Sequence, residues 1–337
     1  MFVGAPRVQL APCDAGCMTL TIQDSDALVA LGRELQAANY QFSTVTPATH
    51  RRFNRRRGDD PSEGLRDVFG WSRPFDATTL PQALVDLMRR AGVLDEAGGE
   101  LRSTVRASTL AGHLFFHSAY PTTDDDAVFF GPDTHRFVGA LDGALGKIAG
   151  PPRRVVDIGC GAGPGAIILA KRFPDAEVIA VDINDAALAL TAVNARLAEA
   201  ANLITCHSDL LQGLEGDFDL IISNPPYVLD ADERTYRHGG GKHGSELSLA
   251  IVDAALDRLR AGGSLLLYTG VAITDGTDQF RDAILPLLQQ GCDMWTYDEI
   301  DPDVFGTLLN APGYEDVERI AAVWLRAVKR WSLPRKK

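Results

Sequence analysis

Residues 155–165, Val-Val-Asp-Ile-Gly-Cys-Gly-Ala-Gly-Pro-Gly, constrain this chain more than any other stretch. An apolar run ends in Asp157 and then in glycines at 159, 161, 163 and 165, and residues 167–173 follow with helix character. A buried strand, a tight glycine turn and a helix start form the opening unit of a doubly wound α/β sheet. Glycine is needed where the backbone runs against a ligand, because a Cβ would collide there. A dinucleotide-binding turn places its glycines at i, i+2 and i+5. Counted from Gly159, the last of these falls on Pro164, and Asp157 lies inside the strand end, so the spacing departs from that pattern.

Three more strand ends carry polar groups in the same rhythm. Residues 177–181 are a short apolar strand ending in Asp182, and a carboxylate there can accept hydrogen bonds from two vicinal ribose hydroxyls. A third strand-like run leads into Cys206-His-Ser-Asp209, and residues 218–223 form a fourth that runs into Asn224-Pro225-Pro226-Tyr227. Any one of these acids could simply cap the next helix. Their order at βα spacing points to a single ligand crevice.

The pattern Asp-x-Gly-x-Gly-x-Gly at 157–163 resembles the first motif of class I S-adenosylmethionine-dependent methyltransferases. The resemblance implies a seven-stranded Rossmann-like sheet of class α/β with S-adenosylmethionine as cofactor. It passes Gly159, Gly161 and Gly163 under the methionine part and gives its amino end to Asp157, directly or through water. It assigns Asp182 with Ile183, Asp209 with Leu210, Asn224 and Thr134 to the cofactor as well, Asp209 near the adenine amino group. No metal is implied. Asn-Pro-Pro-Tyr resembles the fourth motif of enzymes that methylate nitrogens on sp² carbon: glutamine amides, adenine N6 and guanine N2. Such a nitrogen has a delocalised lone pair. The Asn224 side-chain oxygen and the Pro225 carbonyl can each accept one of its hydrogens, and the proline pair keeps that carbonyl aimed. Tyr227 can stack on a planar group. No strong base is needed, because the sulfonium leaves as a neutral thioether, so positioning carries most of the acceleration.

The release-factor glutamine methyltransferases carry a strand, a proline, an acid and a threonine ahead of the glycine motif. Pro132, Asp133 and Thr134 match, with Thr134 as the expected cap of a helix reaching about residue 148. Gly131 replaces that family's arginine. Phe129 and Phe130 are expected either to wall the methyl-transfer pocket or to sit in ordinary core. Of that family's Gly-Gly and acid-Gly-Leu segment, Gly239-Gly240 remains, while Ser245 and Glu246 replace part of the rest. The resemblance covers residues 120–330.

At 337 residues the chain is long enough for two domains, expected at 1–110 and 111–337. The first is expected to be mainly helical and winged-helix-like, with helices over 24–40 and 80–91 and a strand pair over 101–107 and 112–120, serving substrate binding or homodimerisation. The last two strands, over 295–300 and 320–328, are expected to form an antiparallel edge hairpin, with Asp298, Glu299 and Asp301 as loop charge. No run of about 18 apolar residues appears, so no membrane span is expected, nor a secretory signal. Five scattered cysteines, with Cys13 and Cys17 lacking a second metal-spaced pair, suit a reduced, cytoplasmic protein.

Charge is uneven. The first 110 residues balance 13 arginines against 13 acids, and the remainder carries the whole net charge of −12. An acidic catalytic half argues against broad, sequence-independent grip on nucleic-acid phosphates. Arg51, Arg52, Arg55, Arg56 and Arg57 are the exception, either an anion site for RNA or an acidic substrate, or a solvated helix end. The expected activity is methylation of a planar amide or amino nitrogen, most simply a protein glutamine. An rRNA or tRNA base and a biosynthetic small molecule remain alternative acceptors.

Overall fold

The computed structural model describes residues 22–96, 99–122, 124–229 and 238–331. The expectations for Cys13, Cys17 and most of the loop after Val228 lie outside the described residues. Three helices open the chain: α1 (Ser25–Ala37), α2 (Pro47–Arg57) and α3 (Gln82–Ala91). The Asp24 carboxylate caps α1 by accepting from the backbone N–H groups of Asp26 and Ala27. Gly92, left-handed at φ 73°, ends α3. A two-residue pairing of β1 (Leu94–Asp95) with β2 (Arg102–Ser103) precedes the hairpin of β3 (Val105–Leu110) and β4 (His113–Ser118). The expected domain limit at residue 110 therefore cuts a hairpin at its turn. We propose that the limit lies after Ser118.

The second half runs through α4 (Pro132–Leu145), β5 (Arg154–Ile158), α5 (Pro164–Arg172), β6 (Glu177–Asp182), α6 (Asp185–Leu197), β7 (Leu203–His207) and β8 (Phe218–Ser223). It continues with α7 (Glu246–Arg258), β9 (Leu259–Thr274), the short β10 (Thr277–Asp278), α8 (Gln279–Gly291), β11 (Cys292–Asp301) and β12 (Arg319–Lys329). The main sheet has the order β7-β6-β5-β8-β9-β12-β11, with β10 added to β9. β5 to β9 are parallel neighbours, and β12 and β11 join antiparallel as the expected edge hairpin. The acids expected as loop charge, Asp298, Glu299 and Asp301, lie within β11 instead, because its pairing with β12 continues through Asp301.

Period-2 alternation divides the strand residues between two buried layers. Val155, Val178, Leu220 and Ile222 face the layer of α4, α5 and α6, while Val156, Ile179 and Ile221 face α7 and α8. The first layer is continuous with the core of the N-terminal helices. At that junction a Cβ on Gly32 of α1 would lie 2.6 Å from Leu197 of α6, so glycine lets the two helices approach closely.

Candidate active site

In open α/β sheets, ligands bind outside the carboxyl ends of the strands where the strand order reverses. Here that point lies between β5 and β8. The glycine turn leaves one strand, Asn224-Pro-Pro-Tyr leaves the other, Asp182 ends β6 and Asp209 follows β7. Ser223, the last residue of β8, donates its hydroxyl to the Ile158 carbonyl at 2.7 Å and ties the two strand ends together. The cofactor turn and the acceptor tetrapeptide are thereby held in one register.

Gly159 and Gly161 adopt φ of 69° and 55°, and a Cβ at either would project into open space. The turn is a cradle that side chains would fill, which fits a cofactor lying along the backbone. Asp182 closes it by accepting from Gly161 N–H and Asn184 N–H, each at 3.0 Å. A carboxylate offers about four acceptor positions, so capacity remains for two hydroxyls. Burial pushes the Asp182 carboxyl up, opposed by these backbone hydrogen bonds. Ile183 beside it leaves 50% of its surface in water, an exposed apolar face suited to a flat ring. Asp209 is exposed and bonded by Gln212, and Leu210 follows with φ 51°.

Asp157 is buried with one oxygen accepting from Ala166 N–H at 2.9 Å, which anchors the first turn of α5. Burial pushes its carboxyl up to about 8, the Ala166 bond opposes this, and the Asp182 charge adds to it. At neutral pH the group is protonated, and a cationic amino end brought beside it would favour its ionised form. Gly163 packs against Thr191, where a Cβ would lie 2.7 Å from the side chain.

Two residues that sequence reasoning passed over hold the turn from behind. Thr191 donates to Gly161 O at 2.8 Å, and Asn194, one turn later on α6, donates to Ala162 O at 2.9 Å. Asn194 also accepts from Phe116 N–H and donates to Phe116 O, so a single buried amide joins the glycine turn to strand β4. The available signal was a Thr and an Asn three residues apart on a helix face made otherwise of alanine, leucine and valine.

The acceptor side differs from expectation in two ways and decides between alternatives in a third. Tyr227 is 5% exposed and presents no stacking face. Its ring lies against Gly270 of β9, where a Cβ would come within 2.1 Å, and Phe305 meets it edge-on at 5.8 Å. Its hydroxyl donates to one oxygen of the buried Asp133, while Tyr268 of β9 donates to the other at 2.6 Å. Burial pushes the Asp133 carboxyl up, the two tyrosine bonds and Arg136 opposing it. Arg136 lies 3.7 Å from Asp133 and 2.9 Å from Asp301. Second, α4 begins at Pro132 with Gly131 as its N-cap and ends at Leu145; Thr134 is not the cap. The Thr134 hydroxyl instead accepts from Gly131 N–H at 3.2 Å, because a glycine cap has no side chain of its own. Third, Phe130 belongs to the core, stacked 4.9 Å from His117 and 5.5 Å from Phe115, while Phe129 is half-buried.

Asn224 is half-buried, and no hydrogen bond among the described residues engages its side chain. Pro225 is buried and Pro226 half-buried beside it. Gly239 and Gly244 pack on the tetrapeptide so closely that a Cβ on Gly244 would lie 2.5 Å from the Tyr227 carbonyl. Tyr314 Oη accepts from Leu229 N–H at 2.7 Å, and Asp316 holds His243 at 2.8 Å, bracing the segment from the β11–β12 connection. Among the described residues no cluster of metal-ligating side chains occurs, and no helix is long and apolar enough to cross a membrane.

The comparisons agree with this geometry. Residues 144–272 match the family model of the methyltransferase small domain. A release factor glutamine methyltransferase of Rhodopirellula baltica is 33% identical over 174 residues, covering 47% of this chain and 59% of the relative. The corresponding enzyme of Deinococcus radiodurans is 34% identical over 168 residues, covering 47% and 59%. A ribosomal protein uL3 glutamine methyltransferase of Neisseria meningitidis is 38% identical over 129 residues, covering 34% and 42%. The chain thus spans at most about three fifths of the length of these relatives. With the strand order, the open glycine cradle and the Asn-Pro-Pro-Tyr strand end, these matches identify residues 144–272 as a methyltransferase small domain of the class I, S-adenosylmethionine-dependent kind.

Proposed function

We propose that the protein methylates the side-chain amide nitrogen of a glutamine in a protein of the translation machinery. The observation that carries this reading is the withdrawal of Tyr227 into the core beside an unengaged Asn224. A flat base needs an aromatic face at the acceptor position, and here the ring of the tetrapeptide is spent on Gly270, Phe305 and Asp133. What remains at this strand end is a pair of acceptors, the Asn224 side-chain oxygen and the Pro225 carbonyl, which suits the two N–H groups of a glutamine side chain. The similarity to enzymes named for release factor and ribosomal protein glutamines supports the same acceptor class.

When bound, S-adenosylmethionine supplies an electrophilic sulfonium methyl. The chain's own residues supply position. Gly159, Gly161 and Gly163 would cradle the methionine part, Asp157 would face its ammonium, and Asp182 with Ile183 would hold ribose and adenine. The Asn224 side-chain oxygen and the Pro225 carbonyl accept the two amide hydrogens and turn the nitrogen lone pair toward the methyl carbon. Asp133, gripping Tyr227 from α4 and Tyr268 from β9, keeps that carbonyl in place. Orienting contacts of this kind carry rate because reacting atoms misplaced by about 1 Å cost about 10²-fold.

The test is transfer from radiolabelled S-adenosylmethionine into a fractionated lysate. Label in protein that survives nuclease and maps by mass spectrometry to N-methylglutamine is the expected result. Label confined to RNA or to small molecules overturns the reading.

A further inference from the structure

We infer that one face of α2 is an RNA-binding surface that contacts the phosphate backbone. At 3.6 residues per turn, Arg51, Arg55, Arg52 and Arg56 form one contiguous stripe, and all four are exposed. The opposite stripe holds the helix to the protein. His50 is buried 4.1 Å from Tyr120, Phe53 stacks on Trp71 at 3.7 Å, and Asn54 donates to Trp71 O at 3.0 Å. Arg57, on this inner side, takes up the acids that follow, 3.4 Å from Asp67 and 3.8 Å from both Asp60 and Glu63. None of the four stripe arginines forms an ion pair among the described residues, and Arg51 meets only the Tyr120 hydroxyl, at 3.3 Å.

That arrangement has a cost. Arg51 with Arg55 and Arg52 with Arg56 are like charges at i,i+4, a spacing at which each pair destabilises a helix. The dipole of the last turn offsets this for Arg55 and Arg56 but not for Arg51 and Arg52. The helix contains no acid that would relieve the repulsion. A polyanion would.

The chemistry of the stripe selects the polyanion. Planar guanidinium forks match phosphate oxygens bidentately. The stripe carries no aromatic or aliphatic side chain of the kind that anchors a protein interface. It also offers no apolar face for a lipid surface, since the only apolar side chain of that size on α2, Phe53, is already stacked on Trp71. A short segment connects the stripe to the catalytic half. Six residues after Tyr120, the Asp126 carbonyl accepts from Asn184 at the N-cap of α6, two residues past Asp182. Six residues span at most about 22 Å, which bounds the chain path from Tyr120, the contact of Arg51, to the residue that meets α6. The choice of RNA over DNA rests on the proposed acceptor in the translation machinery.

The test is fluorescence anisotropy with a labelled RNA hairpin, a DNA duplex and a polyglutamate peptide, each titrated across a salt series with the full chain. The hairpin is expected to bind with a slope of log K against log salt of about −3, four phosphate contacts at roughly 0.7–0.9 each. Arg52→Ala with Arg55→Ala and Arg56→Ala is expected to weaken binding ~10-fold or more and to reduce the slope by about 1 per arginine. Thermal melting of this variant should be no lower than that of the wild type and its cofactor binding the same, which separates surface loss from unfolding. Unchanged hairpin binding in the variant, or equal or tighter binding of the peptide or the duplex, overturns the inference. Anisotropy requires no turnover, so failure here leaves the glutamine reading standing. Methyl label found in RNA would sink that reading while leaving this surface in place.

Discussion

Asn224 and Asp157 show how neighbours decide what a polar group does. Asn224 follows a buried strand whose last hydroxyl is bonded to the next strand, and its half-buried amide has no hydrogen bond among the described residues. Asn224→Ala is expected to lower turnover about 10²-fold, the scale of a lost orienting contact, with S-adenosylmethionine affinity by calorimetry falling far less. Turnover within a few-fold of wild type would remove Asn224 from its role. Asp157 is the reverse case, a carboxyl held neutral by burial, with its pKa up at about 8. An acid raised above its unfolded value near 3.9 contributes stability in full below that value. The contribution is lost as pH rises toward about 8. The melting temperature of the cofactor-free protein should therefore fall between pH 5 and pH 9, and Asp157→Asn should flatten that slope. Cofactor affinity should rise with pH up to about 8 in the wild type, since the ammonium end needs the ionised carboxyl, and lose that dependence in the variant. An affinity profile shared by both proteins would count against the pairing.

The elements are coupled through a few buried polar links. α4 reaches the acceptor loop through Asp133, which receives hydroxyls from Tyr227 and Tyr268. Asp133→Asn and Tyr227→Phe should each lower kcat with little change in cofactor binding. Their double variant should cost less than the sum, with a coupling of roughly 0.5–3 kcal/mol. Strict additivity would mean that Asp133 does not act through the tyrosine. On the other flank, α6 is joined to β4 and to the glycine turn by the Asn194 amide. Asn194→Leu strands the buried backbone groups of Phe116 and Ala162. Each stranded group costs about 1–3 kcal/mol, which thermal melting would register as a clear loss. The turn it supports should also bind cofactor more weakly. Both consequences were hidden from sequence reasoning, because an asparagine inside an alanine-rich helix carries no local sign of which backbone it will meet.

Among the described residues the two halves share one buried layer. A single buried layer runs from Leu28 and Phe69 through Phe116 to Phe137 and Leu190, and Gly32 lets α1 settle against Leu197. The full chain is therefore expected to unfold in one calorimetric transition, and removal of residues 1–118 to expose enough apolar surface to cause aggregation. Two separated transitions would show that the N-terminal unit is independent. The βα rhythm, the glycine turn, the strand-end acids and the edge hairpin were all legible in the residues, since alternation, left-handed backbone and helix termination are local requirements of the chain. The withdrawal of Tyr227 was not. Its partner Asp133 lies 94 residues earlier, and the room for its ring comes from a glycine on a different strand. The same holds for Thr134 and Phe130, whose surroundings are assembled by packing. Local chemistry thus settled which fold forms and where a cofactor turn lies. Which aromatic faces the acceptor, and which is buried behind it, depended on contacts between distant segments that exist only once the sheet and its two helical layers have closed.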